Sequence, residues 1–184
     1  MTKKESILSA ALKLLSAQGL HATPMSAIAK EAGTGMGTIY NYFPNKEVLI
    51  NALYVKIKEE EKHIFTNFDP TKPLKPQFAA YYHSAIQFFV DHPAYFQFME
   101  QVQASPMITD ASRAVGYEAI DTVLVLIEKG KADQVIKRIA TQELLLFIGG
   151  TIVAYLRLHF RENAKSTTAL NNQLKMVWDA IQRS

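Results

Sequence analysis

The 184-residue sequence contains no cysteine, which excludes disulfide bonds, cysteine-ligated metal sites and a cysteine nucleophile. Its charge is nearly balanced, since 20 Lys and Arg residues against 17 Asp and Glu residues give a net charge of +3. A basic excess this small permits a nucleic-acid partner without requiring one. Residues 1–15 lack the uninterrupted apolar core of a secretory signal, so we expect a cytoplasmic protein.

Patterns of catalytic residues are also scarce. Glu60 and His63 form the one Glu-x-x-His pair in the sequence, whereas a di-iron site in a helical bundle needs two such pairs and two further carboxylates. The five histidines are scattered without a close zinc-binding pair, and no glycine-rich phosphate loop occurs. We therefore expect no catalytic activity, no metal site and no cofactor.

The longest apolar run, residues 144–156, is interrupted by Gly149, Gly150 and Thr151. A membrane-spanning helix needs about 20 predominantly apolar residues. We therefore interpret the run as a buried helix and expect no membrane partner.

Helical periodicity of apolar residues runs through almost the whole chain. A first helix is expected over residues 3–18, because Thr2 and Glu5 have capping-box spacing. Asn45 can cap a fourth helix that continues to about residue 68. No strand-like alternation stands out, so the predicted fold class is all-α, with about nine helices in all. After a proline-punctuated connection, the later helices are expected at about residues 75–90, 93–104, 109–129, 134–161 and 167–183.

The segment that begins at Thr23 carries the most specific local pattern. A Thr-Pro pair there can open a short helix by capping a free amide, and Gly33 can end that helix in a left-handed conformation. The next helix, at about residues 36–42, is small or polar over most of its surface, and only Ile39 and Phe43 look like core anchors. Such a helix is too short to be stable alone. Short helix, tight turn and short polar helix is the layout of a DNA-reading helix-turn-helix.

The exposed face of the second short helix has side chains suited to DNA. Thr and Asn can hydrogen-bond to base edges, a thioether can touch a thymine methyl group, and small residues let the backbone approach a groove wall. The candidate groove contacts are Thr34, Gly35, Met36, Thr38 and Asn41. Tyrosine hydroxyls and an ammonium group suit phosphates, and these candidates are Tyr40, Tyr42 and Lys46. The alternative is that a small-residue turn merely lets two helices cross closely.

The sequence resembles the tetracycline-repressor (TetR/AcrR) family of bacterial transcriptional regulators. The resemblance lies in three runs, IAKEAG at residues 28–33, GTIYNYF at 37–43 and KEVL at 46–49. It covers about the first quarter of the chain. It implies a three-helix DNA-binding domain over residues 1–46 and a larger helical domain for effector binding and dimerisation over residues 47–184.

The resemblance also assigns roles and marks two departures. It implies that Thr23 touches the DNA backbone, in addition to the groove and phosphate contacts named above. Gly35 stands where many relatives carry a serine that caps the reading helix. Met36 replaces a position that is often charged or hydroxylated, which leaves the base preference there open.

Residues 78–124 are rich in Phe, Tyr and Met. Taken alone, most of these side chains are expected to fill a core. Relatives use this region as a cavity for a small, often hydrophobic effector, and flat aromatic walls with adaptable Met side chains suit such a pocket. The residues predicted to line it are His83, Phe89, Tyr95, Phe96, Met99, Gln103, Met107 and Tyr117.

The last two helices are apolar over more of their surface than one small domain can cover. We therefore expect them to form a four-helix bundle across a two-fold axis of a homodimer, an arrangement that the resemblance also implies. The alternative is that both faces pack within one chain. The predicted interface residues are Phe147, Gly150, Ala154, Leu170, Leu174, Val177 and Trp178.

The predicted function is that of a DNA-binding transcriptional regulator. A dimer would place two reading helices about one DNA turn (~34 Å) apart, matching a palindromic operator in double-stranded DNA. The resemblance implies repression that a small-molecule effector relieves. The alternatives are a helical-bundle protein-interaction module that has lost DNA binding and, least favoured, a metal-dependent helical-bundle enzyme.

Overall fold

The structure is a computed structural model that describes residues 2–103, 105–162 and 167–183. Within these residues it contains ten α-helices and no strand beyond one isolated β-bridge, which confirms the all-α prediction. The helices are α1 (Lys3–Gln18), α2 (Met25–Glu31), α3 (Met36–Tyr42), α4 (Lys46–Glu61), α5 (Leu74–Asp91), α6 (Pro93–Val102), α7 (Asp110–Glu118), α8 (Asp121–Ala132), α9 (Thr141–Glu162) and α10 (Thr167–Ile181).

The helices form two compact units. The N-terminal unit consists of Met1–Glu61 and His92–Ala119, and the C-terminal unit consists of Lys62–Asp91 and Ile120–Ser184. The predicted boundary at residue 46 separates DNA binding from effector binding and dimerisation. Packing does not test that functional division, so it stays a prediction.

One predicted helix is divided into two in the structure, and another ends earlier than expected. The helix expected over residues 109–129 is two helices, because α7 ends at Glu118 and α8 begins only after Ile120, whose φ of −109° and ψ of 9° leave the helical range. The count is therefore ten rather than nine. The helix expected to continue to residue 68 ends at Glu61, and Phe65 packs instead against Tyr81, with the ring centroids 5.5 Å apart.

The predicted start of α9 at residue 134 is also wrong, because the preceding segment pairs with the C-terminus. The Lys137 amide donates to the Ile181 carbonyl at 2.9 Å, and the Arg183 amide donates to the Val135 carbonyl at 2.8 Å. These bonds draw the backbone into an extended bridge, and α9 begins only at Thr141.

In the N-terminal unit, α1 packs against α2, α4 and α6. The predicted capping box is confirmed, since the Glu5 amide donates to the Thr2 hydroxyl at 3.2 Å and the Thr2 amide donates to the Glu5 carboxylate at 2.6 Å. The hydrogen bond from the Thr2 amide lowers the pKa of Glu5. The largest fully buried side chains of this unit are Ile7, Leu15, Ile28, Ile39, Phe43, Leu49, Ile50, Leu53, Ile57 and Phe98.

Side-chain hydrogen bonds join α6 to α1 and the segment before α7 to α4. The Gln101 amide on α6 donates to the Leu15 carbonyl near the end of α1 at 3.1 Å. Asn51 on α4 donates to the Met107 carbonyl at 2.7 Å and accepts from the Thr109 amide at 2.9 Å. Because these bonds join residues more than fifty positions apart, no local sequence pattern predicts them.

In the C-terminal unit, α5, α8, α9 and α10 enclose a second core. Tyr82 is fully buried in it. Its hydroxyl lies 2.9 Å from the Thr151 hydroxyl and accepts from the Gln173 amide at 2.7 Å, while burial raises the pKa of Tyr82. This buried polar group, which is hydrogen-bonded as such groups must be, fixes α5, α9 and α10 against one another.

The longest helix, α9, keeps one side uncovered, on which apolar, small and charged residues are exposed. Over Thr141–Arg161 it is long and apolar enough to cross a membrane by those two criteria alone, and 28% of its apolar window is buried. Its exposed side chains recur every three or four residues, which places them on one side of the helix. We call this side the α9 face; it comprises Glu143, Leu146, Phe147, Gly150, Ala154, Arg157, Leu158 and Arg161.

Candidate nucleic-acid interface

The turn between α2 and α3 is closed by two backbone hydrogen bonds. The Thr34 amide donates to the Ala29 carbonyl at 2.9 Å, and the Gly33 amide donates to the Lys30 carbonyl at 3.1 Å. Together they form a Schellman motif, which favours a left-handed residue at the position of Gly33. Gly33 has a φ of +60°, so the predicted glycine stop is confirmed.

Two side chains hold α3 to the N-terminal unit. Ile39 is 0% exposed and Phe43 is 1% exposed, which confirms both predicted anchors. The outer side of α3 is open, since Met36 is 40%, Tyr40 46% and Tyr42 45% exposed. A seven-residue helix with this much uncovered aromatic and thioether surface is suited to contact a partner. We call this surface the reading face; it comprises Thr34, Gly35, Met36, Gly37, Thr38, Tyr40, Asn41 and Tyr42.

Two glycines of the reading face are not required by packing within the chain. Gly35 precedes α3 and gives it no side-chain cap. A Cβ atom built at Gly35 or at Gly37 would meet nothing within 4 Å. The space beside the backbone is therefore open to an approaching surface.

A cation stands at the start of the next helix. The Asn45 side chain accepts from the Val48 amide at 2.9 Å and caps α4, as predicted. Lys46 is the first residue of α4 and is half-buried, and burial lowers its pKa. Lys46 forms no ion pair among the described residues, so its ammonium group is available to a phosphate.

Thr23 does not have the position that the sequence predicts. The residue before α2 in the cap position is Pro24, which makes no side-chain cap. Thr23 is 0% exposed, and its hydroxyl donates to the Gly19 carbonyl at 2.9 Å. The side chain closes the connection between α1 and α2 from inside, so we leave Thr23 out of the proposed DNA surface.

The residues predicted to line an effector pocket lie in both units. His83 and Phe89 belong to the C-terminal unit. The N-terminal unit holds the remaining ones, namely Tyr95, Phe96, Met99, Gln103, Met107 and Tyr117. Tyr117 is 67% exposed and Gln103 is also exposed. The assignment of these residues to a pocket stays a prediction.

Tyr95, one of the effector candidates, lies in a hydrogen-bonded cluster. Its hydroxyl donates to the Glu60 carboxylate at 2.8 Å and accepts from the Lys56 ammonium at 3.1 Å. Burial raises the pKa of Tyr95. Tyr95 and Lys56 also line a cavity of about 360 Å³ with Leu8, Leu12 and other α1 and α4 residues.

The same contacts bear on the Glu60–His63 pair. Glu60 forms an ion pair with Lys56 and accepts the Tyr95 hydrogen bond. Among the described residues, no group of three or more His, Asp and Glu side chains could hold a metal ion. The carboxylate of Glu60 thus has a structural role within the N-terminal unit.

The predicted dimer residues fall into two groups. Phe147, Gly150 and Ala154 lie on the exposed α9 face. Val177 and Trp178 are instead 2% and 3% exposed, because they pack within the C-terminal unit. Leu170 and Leu174 are half-buried on the same side of α10.

Three further apolar side chains that the sequence pattern did not predict as interface residues are exposed on the last two helices. Leu146 and Leu158 lie on the α9 face, and Met176 is exposed on α10. The spacing of Leu146 and Leu158 from Gly150 and Ala154 was a usable signal for these two.

Comparison with known proteins gives a family for the N-terminal region. Residues 7–53 match the family described as bacterial regulatory proteins, tetR family. This span runs from the buried Ile7 of α1 through the whole helix-turn-helix and into α4 as far as Leu53.

Individual relatives extend the likeness along the chain. An HTH-type transcriptional regulator of Haemophilus influenzae is 28% identical over 118 residues, which are 60% of this chain and 60% of that protein. A tetR family transcription regulator from Shewanella sp. PV-4 shares the fold over 100% of both chains, with a TM-score of 0.90 and 24% identity. The transcriptional regulator FadR from Bacillus subtilis, solved in complex with stearoyl-CoA, has a TM-score of 0.68 and 20% identity, covering 94% of this chain and 96% of that one.

Proposed function

We propose that the chain regulates transcription by inserting α3 into the DNA major groove, because its residues 7–53 match the tetR family of bacterial regulatory proteins. The observation that carries the proposal is the reading face. Its helix is anchored by Ile39 and Phe43 and leaves three large side chains about half-exposed. A short helix of this kind is stable only through its anchors, so its outer surface is free to serve recognition.

The proposed contacts divide by chemistry. Thr34, Met36, Thr38 and Asn41 face the bases, where hydroxyl and amide groups read edges and the thioether meets thymine methyl groups. Tyr40, Tyr42 and Lys46 bind phosphates and so set the register of the helix without reading sequence. The open space at Gly35 and Gly37 lets the backbone of α3 approach the groove; these two positions complete the proposed surface.

We propose that the protein acts as a homodimer on a palindromic operator. The α9 face supports this, because Leu146, Phe147 and Leu158 are exposed around the small residues Gly150 and Ala154. Small residues allow two helices to approach closely, and a self-complementary face suits a two-fold axis. The two reading faces would then meet half-sites about one DNA turn (~34 Å) apart.

We further propose that the protein is a cytoplasmic repressor released by a small hydrophobic effector. The stearoyl-CoA complex of the Bacillus subtilis relative supports an apolar ligand. Within the N-terminal unit, α6 and α7 carry effector candidates. Gln101 joins α6 to α1, and Asn51 of α4 accepts from the amide of Thr109, the cap residue of α7. A ligand that binds one arrangement of α6 and α7 more tightly than another would also favour the corresponding position of α1–α3. The size of this effect is set by the difference in the ligand's affinity for the two arrangements.

The test begins with selection of bound fragments from random double-stranded DNA, followed by footprinting. Enrichment of a palindrome protected on one face at two sites a helical turn apart is expected. Binding must weaken steeply with salt, because phosphate contacts release counterions. Failure to retain any duplex in dilute salt, with protein shown to be folded by thermal unfolding, would refute DNA binding.

The effector is tested on the selected operator. Fatty acyl compounds and other small apolar molecules are added to the complex, and release is measured by fluorescence anisotropy. Release by an apolar compound at concentrations that leave thermal unfolding cooperative supports the proposal. Compounds that bind the protein and leave operator affinity unchanged would contradict the regulatory part and leave DNA binding standing.

A further inference from the structure

A small apolar groove lies between α5 and α10 of the C-terminal unit. Its floor is formed by Phe78, Ala79, Leu174 and Trp178, and its volume is about 170 Å³. The Phe78 and Trp178 rings are 5.4 Å apart between centroids and inclined at 49°. A cavity of about 150 Å³ can hold a benzene molecule, so the groove has room for one aromatic ring.

Two lysines flank this floor from opposite helices. Lys75 on α5 lies with its ammonium nitrogen 5.8 Å from the centroid of the Trp178 ring, and Lys175 projects from α10. Both are exposed, and neither forms an ion pair among the described residues. The lining of the groove includes no carboxylate, and its remaining polar residue is Asn171. Two cations beside one apolar surface are complementary to a ligand that carries an anionic group.

We propose that this α5–α10 groove binds a small aromatic carboxylate, with its ring against Trp178 and its carboxylate between Lys75 and Lys175. None of the predicted effector residues lines the site, whereas Leu174 and Trp178 of its floor are among the predicted dimer residues. At 3.6 residues per turn, the groove residues of α10 also lie on the opposite side of that helix from Met176. The proposal goes beyond DNA binding and does not depend on it.

The chain contains a built-in reporter, because Trp178 is its single tryptophan. Sodium benzoate is titrated into the purified full chain while the tryptophan fluorescence is followed, and ligand-observed NMR checks binding independently. Benzyl alcohol supplies the same ring without the charge, and acetate supplies the charge without the ring. We expect a saturable change with benzoate at millimolar concentrations, a weaker one with benzyl alcohol and none with acetate.

Charge variants test the lysines. The double substitution Lys75→Gln/Lys175→Gln should lower benzoate affinity by about fivefold, as expected for two solvent-exposed ion pairs, and leave benzyl alcohol affinity unchanged. The matched control Lys3→Gln/Lys4→Gln removes the same charge from exposed positions of the N-terminal unit. Both pairs of lysines are on the surface, so all four substitutions should leave the midpoint temperature of thermal unfolding unchanged.

A filling variant tests the floor. Ala79→Leu places a larger side chain in the groove and should abolish the fluorescence response to both ring compounds. Absence of saturation with wild-type protein overturns the proposal. Equal benzoate affinity in the Lys75/Lys175 variant and the control variant, or unaltered binding by a folded Ala79→Leu protein, overturns it too, because the ligand would then bind elsewhere.

Discussion

Tyr42 and Thr38 lie on the same short helix and are expected to contribute differently to DNA binding. Tyr42 is proposed to bind a phosphate, which every sequence offers. Tyr42→Ala should therefore weaken binding to operator and to unrelated duplexes alike by about tenfold, since a hydrogen bond to a charged group is worth ~1.5 kcal/mol. Fluorescence anisotropy on both duplexes measures this.

The control for Tyr42 is Tyr117→Ala, which removes another exposed tyrosine from the N-terminal unit. It should leave DNA affinity unchanged in the absence of effector. A Tyr42→Ala protein that loses affinity for the operator alone would contradict the phosphate assignment.

Thr38 is proposed to face the bases. Thr38→Val keeps the shape of the side chain and removes its hydroxyl, so overall affinity should change little while the preferred base at one position per half-site changes. Repeating the selection from random DNA with the variant reveals this. An unchanged consensus would place Thr38 outside the base contacts.

Gly37 separates the requirement of the fold from the requirement of recognition. A Cβ at this position meets nothing within 4 Å, and alanine is the better helix former. Gly37→Ala should therefore raise the free energy of unfolding by about 0.5 kcal/mol and weaken DNA binding by holding the backbone away from the groove.

Gly149→Ala on α9 is the matched control, because a Cβ there also meets nothing within 4 Å. It should stabilise the fold to a similar extent and leave DNA affinity intact. Thermal unfolding and anisotropy are measured on both variants. A Gly37→Ala protein with undiminished DNA affinity would show that no close approach occurs at this position.

At the scale of the helices, the contact of α4 with α7 depends on Gly116. A Cβ at this position would overlap the Tyr54 hydroxyl and lie 3.3 Å from its ring carbon. Gly116→Ala should destabilise the fold by about 1–3 kcal/mol, the usual cost of overpacking. Tyr54→Phe removes the overlapping oxygen, so the double variant should recover part of the loss.

A thermodynamic cycle of these four proteins, followed by denaturant unfolding, gives the coupling between the two positions. Strictly additive effects would mean that α7 moves away instead of compressing against Tyr54. The cycle thus tests whether α7 packs tightly against α4, the helix that begins at Lys46.

At the scale of the whole molecule, the α9 face is the proposed contact of the dimer. Leu146 is 78% exposed and Phe147 is 43% exposed in the single chain. Leu146→Glu should raise the dimer dissociation constant by at least about tenfold, because a carboxylate would be buried in an apolar contact. Analytical ultracentrifugation measures the assembly, and anisotropy on the palindrome should show a parallel loss.

Val125→Glu supplies the control, since Val125 is an exposed apolar residue of α8. It should leave the sedimentation profile unchanged. A Leu146→Glu protein that sediments as the wild type, or a wild-type protein that is monomeric at all concentrations, would exclude the α9 face as the dimer contact.

Much of the predicted DNA-binding domain (residues 1–46) could be predicted from local sequence, because helix caps and helix ends depend on only a few neighbouring residues. Gly33 ends α2, Asn45 caps α4, and the spacing of Ile39 and Phe43 marks which side of α3 is buried. Thr23 is the exception. A threonine before a proline has the composition of a cap, and only the packing of α1 against α2 shows that its hydroxyl points inward.

The amino-acid sequence by itself determined the helical class, the bounds of α1 and α3 and the family that the predicted DNA-binding domain resembles, since periodicity, caps and turns are local. Only the tertiary structure decided that α10 turns Trp178 into its own chain and that Lys75 and Lys175 flank one groove. Both apolar stripes of α9 and α10 look alike in sequence. Which one is covered depends on contacts between residues distant in the chain, such as Phe78 with Trp178, and such contacts exist only once the helices have packed.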